Sequence, residues 1–219
     1  MRLGILGGTF DPIHIGHLRT AEEIGLELEL EKVYLIPSAS PPHKTEEPVT
    51  PFEHRLTMTR LAIFGSSLLD ALDLEGRRAG PSYSIETLKE LHDIFKPDPD
   101  LFFILGIDAF LEIHTWKEYE RLFDYSHFVI ISRPGYRKEM IEPFLMKSGL
   151  EIKKTREAGT FLMKSGNTLT LKETTLMDIS STCIREMVQQ GKSIRFLVPD
   201  AVGDYITEKG LYRTRGNPR

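Results

Sequence analysis

One cysteine, Cys183, stands among 219 residues, so an internal disulfide and a cysteine-rich metal site are both excluded. No apolar run approaches the roughly 20 residues that cross a bilayer. No His/Asp/Glu group has metal-ligand spacing, and the G-x-S-x-G elbow of Ser–His–Asp hydrolases is missing. Neither charge dominates. The 28 Lys and Arg face 32 Asp and Glu, a net charge of −4, which argues against a large nucleic-acid footprint. Met1–Arg2 leads into a short apolar run that ends at a Gly-rich turn, not at a cleavage site, so a cytoplasmic location is expected. Small-molecule partners remain; nucleic acid and membrane are not expected, and a homo-oligomer is left open.

What is present is ordinary globular composition, 40% hydrophobic and 27% charged, enough to bury a core unaided. One domain over residues 1–219 is expected. Apolar runs suited to strands (Leu3–Leu6, Lys32–Pro37, Leu68–Leu74, Leu101–Leu105, Phe128–Ile131) alternate with helical spacing at Ala21–Leu30, Pro51–Phe64 and Ser84–Phe95. Helices at Ser180–Gln190 and Asp200–Glu208 close the chain. This alternation predicts an α/β fold: a doubly wound, mostly parallel Rossmann-like sheet with a small C-terminal helical portion. Such sheets bind ligands beyond the carboxyl ends of their strands. Gly7–His17, Pro37–Lys44, Gly106–Asp108 and Ser132–Arg133 therefore share one rim. Residues 137–178 are the least regular. They carry FLMKSG twice, at 144–149 and 161–166, and Thr160–Lys164 and Thr168–Lys172 suit a hairpin; a lid, an interface and a plain loop are the other uses open to this region.

The most informative segment is GGTFDPIHIGH, residues 7–17. It reads as strand, Gly-rich turn and helix start. A turn of this kind leaves backbone N–H groups and a helix dipole aimed at one spot, which suits a phosphate. Gly7 and Gly8 allow unusual φ values and close backbone approach. Thr9 adds a hydroxyl, and Pro12 stiffens the loop. Asp11 either orients a histidine or fixes the loop. His14 and His17, three apart, share a face once the helix has begun. A plain strand–turn–helix connection needs the glycines but not the two histidines.

Two further segments fit phosphate chemistry. In ISSTCIR, residues 179–185, a Ser/Thr cap opens a helix whose first N–H groups can receive an anion, and Arg185 shares a face with Ser181 and Thr182. An ordinary cap with a surface Arg is the plainer use of the same residues. In PSASPPHK, residues 37–44, two prolines extend a loop that carries His43 and Lys44; a solvated loop is the alternative. His54 and Arg55 read as a solvated helix face. His92, His114 and His127 carry no assigned chemistry.

GGTFDPIHIGH resembles the N-terminal signature of the nucleotidyltransferases with an H-x-G-H motif, and most resembles the bacterial nicotinate-nucleotide adenylyltransferases. His14–Ile15–Gly16–His17 is also similar to the HIGH motif of class I aminoacyl-tRNA synthetases. The resemblance runs from Gly7 to the closing VPDAVGDYITEKGLY, with 137–178 the exception. It implies ATP binding by Gly7, Gly8, Thr9, Phe10, His14, His17, Gly106, Asp108, Arg133, Ile179, Ser180, Ser181, Thr182 and Arg185. It implies mononucleotide binding by Thr9, His43, Lys44, Ser82, Tyr83, Ser84 and Trp116, the tryptophan stacking on the pyridine ring. Ser84 stands where threonine is usual in that family. Catalysis would fall to His14, His17, Lys44 and Arg185, with Mg2+ carried mainly on the ATP phosphates and no dedicated metal site. The implied reaction joins ATP and nicotinate mononucleotide into nicotinate adenine dinucleotide and pyrophosphate. The alternatives are preference for nicotinamide mononucleotide, another acceptor such as phosphopantetheine, a class I synthetase fragment, and a non-catalytic nucleotide sensor. The SYSIETL and Trp116 segments argue against phosphopantetheine, and the missing KMSKS segment against the synthetase.

Overall fold

The structure, a computed structural model, describes residues 1–41, 49–132, 141–147 and 149–213. Among these residues eight strands form one sheet: β1 (Arg2–Gly8), β2 (Lys32–Pro37), β3 (Leu69–Ala71), β4 (Asp100–Gly106), β5 (His127–Ile131), β6 (Ile152–Lys154), β7 (Thr160–Met163) and β8 (Thr168–Lys172). Their order is β3-β2-β1-β4-β5-β8-β7-β6. The first six in that order pair in parallel, and β7 pairs antiparallel with both β8 and β6. The expected hairpin is thus β7–β8, and it extends the sheet within the segment that looked least regular.

Among the described residues eight α-helices accompany the strands: α1 (Ile15–Glu27), α2 (Phe52–Ala62), α3 (Ser84–Ile94), α4 (Ile107–Leu111), α5 (Tyr119–Tyr125), α6 (Ile141–Lys147), α7 (Ser181–Gln189) and α8 (Asp200–Glu208). They divide between two cores because strand side chains alternate faces. In β4, Leu101, Phe103 and Leu105 join Ile85, Leu88, Phe110 and Leu122 on one face. Phe102 and Ile104 join Ala21, Ile24, Met58, Ile184 and Val202 on the other. Both faces are covered, which is why LFFIL shows no polar alternation. Leu68–Leu74 yields only the short strand β3 before a 3-10 turn at Leu74–Arg77.

Chain order explains where a ligand goes. β1 has β2 on one side and β4 on the other. Connections α1 and α2 pack on one face, and α3 crosses to the opposite face before β4. The reversal at β1/β4 opens a crevice beyond the ends of those strands.

The opposite end of the sheet is pinned by His127. Its Nδ1 accepts from the Thr168 N–H at 2.9 Å, and its Nε2 lies 2.9 Å from Asp100 Oδ1. Burial pulls its pKa below the ordinary imidazole value, with Asp100 opposing. Between the two values the unfolded chain binds the proton that the fold resists. The stability from this site is therefore complete above the free-imidazole pKa of about 6.5 and is lost as pH falls through and below it. Urea midpoints are expected to drop from about pH 7 to about pH 5, and less steeply in His127→Gln; equal slopes would contradict this.

Candidate active site

β1 delivers Gly7 and Gly8 to the crevice, and α1 begins at Ile15. Neither glycine takes a positive φ, contrary to the conformational freedom expected of them. Space is what they supply. A Cβ on Gly8 would lie 2.8 Å from the Phe10 ring, whereas one on Gly7 would meet only Phe103 at 3.9 Å. Phe10 itself is the residue in the left-handed region, at φ 48°, a conformation that costs about 1–2 kcal/mol and must be held by its surroundings.

His14 is buried and His17 half-buried, and their rings stack with centroids 3.6 Å apart and 22° between planes. His17 Nδ1 accepts from the His14 N–H at 3.3 Å. That bond places the neutral ring's proton on Nε2, leaving a donor at its far edge. The edge of Phe10 packs against His17 at 5.0 Å.

Behind this loop lies a set of braces. Asp11 is 4% exposed; Oδ1 accepts from the Tyr212 hydroxyl at 2.7 Å and Oδ2 from the Thr50 N–H at 3.2 Å. Of its two expected uses, these bonds show it fixing the loop. Ser181 Oγ donates to the Pro12 carbonyl at 2.7 Å, and Arg185 Nη1 to the Asp11 carbonyl at 2.9 Å. Ser180 caps α7, accepting from the Cys183 N–H at 3.1 Å. Ser181 and Arg185 thus hold the loop here, while the first turn of α7 keeps N–H groups available for an anion. The solvated reading of Arg55 is corrected: it is 1% exposed. Its guanidinium donates to the carbonyls of Thr50, Thr9 and Ser38 at 2.7 Å and of Ala39 at 3.3 Å. His54 Nδ1 lies 2.8 Å from the Tyr205 hydroxyl, joining α2 to α8.

In front of the loop is a cleft of about 1130 Å³. The strand-end residues Gly7, Gly8, Thr9, Gly106, Asp108 and Ser132 line it together with His14 and His17. One wall, on the α3 face, carries Ser82, Tyr83, Ser84, Trp116 and Lys117. Trp116 stands edge-on to Phe103 at 6.3 Å, and its backbone N–H donates to the Ile113 carbonyl at 2.9 Å. Ser82 ties this wall to the end of β2, its Oγ accepting from Ala39 and Ser40 N–H at 3.0 and 3.1 Å. The other wall, on the α1 face, is Thr20 with the strap 174–180, including Ile179 and Ser180. The Thr175 N–H donates to Glu23 Oε2 at 2.7 Å, and its hydroxyl donates to Glu23 as well. The hydroxyl bond is the chief cause of a lowered Glu23 pKa.

Among the expected site residues, Phe10, Ser181, Thr182 and Arg185 do not line the cleft. His43, Lys44 and Arg133 lie outside the described residues. Strap residues 174–178 and Glu75 line the cleft without any sequence signal, and Thr87 of the SYSIETL segment joins them. Glu75 is buried, and its Oε1 accepts from Thr87 Oγ1 at 2.8 Å. Among the described residues no three His, Cys, Asp or Glu side chains gather to hold a metal, and no helix is long and apolar enough to cross a membrane.

Residues 5–187 match the cytidylyltransferase-like family. The chain is 48% identical over 218 residues to a protein of Desulfatibacillum aliphaticivorans named probable nicotinate-nucleotide adenylyltransferase, covering 97% of this chain and 100% of that one. It is 45% identical to the protein of the same name from Geotalea daltonii, with 97% and 98% covered. In structure it is similar to Plasmodium falciparum nicotinic acid mononucleotide adenylyltransferase complexed with NaAD, with TM-score 0.71, 22% identity, and 96% and 97% of the two chains covered.

Proposed function

The chain belongs to the cytidylyltransferase-like family and, within it, to the nicotinate-nucleotide adenylyltransferases, and on that basis we propose that it joins ATP and nicotinate mononucleotide into nicotinate adenine dinucleotide and pyrophosphate, a step of NAD biosynthesis. The observation that carries this is the stacked His14–His17 pair at the N-terminus of α1, opening on a cleft of about 1130 Å³. That volume exceeds the usual small-ligand range of about 300–1,000 Å³ and suits two nucleotides side by side.

ATP lies against α1 and the strap, with Gly106 and Asp108 toward its nucleoside. The mononucleotide lies against Trp116, Tyr83 and Ser84. A 5′-phosphate oxygen attacks the α-phosphorus of ATP in line, an O–P bond forms, and the bond to the β-phosphate oxygen breaks to release pyrophosphate. A phosphate monoester has its second pKa near 6 (about), so the nucleophile is ionised at neutral pH without a general base. Catalysis is then positioning and charge stabilisation. His17 Nε2–H and His14 meet the charge that builds on the α-phosphoryl and bridging oxygens. Thr182 and Arg185 do not line the cleft in this structure but follow its lining residue Ser180, and with the N–H groups at the start of α7 they would receive the leaving pyrophosphate, while Lys44 would hold phosphate oxygens. Magnesium would travel with the phosphates, since it keeps most of its waters and needs few protein ligands, and would neutralise phosphate charge there.

The helix α3 wall supports the nicotinate form. Its N-terminus offers N–H groups and a positive dipole end; a carboxylate profits from both, a carboxamide much less, while the Lys117 ammonium on the same wall is already paired with Glu86 at 2.6 Å. Trp116→Ala is expected to raise KM for nicotinate mononucleotide on the order of tenfold or more, the usual worth of a ring stacked on an aromatic, with KM for ATP unchanged. Equal effects on both substrates would displace Trp116 from the pyridine site. The reaction itself is tested with ATP labelled at the α-phosphate. The label is expected in a dinucleotide of the mass of nicotinate adenine dinucleotide; label found only in free AMP would contradict the transfer.

A further inference from the structure

The last described turn of the chain reaches back to the catalytic motif. After α8, Gly210 turns at φ 61°, and Leu211 N–H bonds the Ile206 carbonyl at 3.0 Å. Tyr212 then takes φ 63°, a left-handed conformation that a tyrosine adopts only when held. What holds it is the 2.7 Å bond from its hydroxyl to Asp11 Oδ1. Asp11 is buried, sits in the loop between Phe10 and His14, and takes its second bond from Thr50 at the approach to α2. Burial, with the charge of Asp11 adding to it, pushes the phenol well above its ordinary pKa, so the hydroxyl stays a donor.

We propose that Tyr212 is a positioning residue: through Asp11 it sets the Phe10–His14 loop, and thereby the stacked histidines, in the geometry that stabilises the transition state. This rests on the adenylyl-transfer reading. In that reading the mononucleotide lies on the α3 wall and ATP against α1, the strap and the strand ends, while Asp11 stands behind the histidine loop, outside the cleft lining. Loosening the loop through Asp11 therefore falls mainly on turnover rather than on binding.

The test is a double-mutant cycle in the full chain with Tyr212→Phe, Asp11→Asn and the pair. Tyr212→Phe keeps the ring and removes only the hydroxyl. We expect kcat to fall about tenfold, as for loss of one bond to a buried carboxylate. Both KM values should stay within about twofold. Because Tyr212 acts through Asp11, the pair should be no slower than Asp11→Asn alone. In the unliganded proteins the imidazole NMR signals of His14 and His17 should shift in Tyr212→Phe while those of His92 and His127 stay in place. A purely structural Tyr212 would lower the melting temperature with kcat and the imidazole signals unchanged, and that result overturns the proposal. So does a pair whose loss is the product of the single losses. If the unaltered protein releases no pyrophosphate, the adenylyl-transfer reading fails, and the imidazole signals still decide whether Tyr212 sets the loop.

Discussion

Replacing His17 with alanine lowers turnover by on the order of 10²–10³-fold with the fold intact, the usual cost of removing one donor aimed at developing charge. The fold should survive because His17 is half-buried at the cleft wall, with its ring against those of Phe10 and His14 rather than in either core. Its Nδ1 is already bound to the His14 N–H, so the chemistry rests on Nε2. His17→Asn offers a shorter amide donor and recovers only part of the loss. Steady-state kinetics beside a circular dichroism melt separate the two effects. Near-normal turnover in His17→Ala would remove it from the catalytic set.

Arg55→Met should be strongly destabilising. One guanidinium closes four backbone carbonyls drawn from three separate segments: Thr9 after β1, Ser38 and Ala39 after β2, and Thr50 before α2. Methionine fills much of the volume but leaves those acceptors with no donor in a buried site, at about 1–3 kcal/mol for each that stays unpaired. The loss is expected to reach at least about 3 kcal/mol in urea unfolding, since waters can re-pair only some of the carbonyls. Arg55→Lys should rescue little, because a single ammonium cannot span a planar fork of donors. A variant within about 0.5 kcal/mol of the parent would show that the carbonyls are satisfied without it.

Arg55 and Tyr212 also mark the limit of what the sequence makes legible. Strands buried on both faces were readable, because LFFIL and FVII have no room for polar residues in a sheet covered on each side. The H-x-G-H helix start and the cap before α7 are legible because each is a matter of local backbone geometry, which nearby residues dictate. Long-range polar contacts leave no such trace. Arg55 sits in a helix where an Arg is ordinarily solvated, and its partners lie up to 46 residues away. Tyr212 meets Asp11 across 201 residues. Thr175 and Glu23 meet across 152. The repeated hexapeptide shows the same dependence on context. The first FLMKSG contributes Phe144–Lys147 to α6, where Phe144 packs against Phe110. The second supplies Phe161–Met163 of β7, with Phe161 and Met163 buried and Leu162 facing out. Identical local propensities resolve differently because tertiary packing decides between them.

The most direct measurement is pyrophosphate release from ATP and magnesium with three acceptors in parallel: nicotinate mononucleotide, nicotinamide mononucleotide and phosphopantetheine. The arrangement of the α3 N-terminus, Trp116 and the histidine pair predicts rapid release with a strong preference in kcat/KM for the nicotinate form. Preference for either of the other acceptors would contradict the substrate assignment, and silence with all three would contradict adenylyl transfer itself.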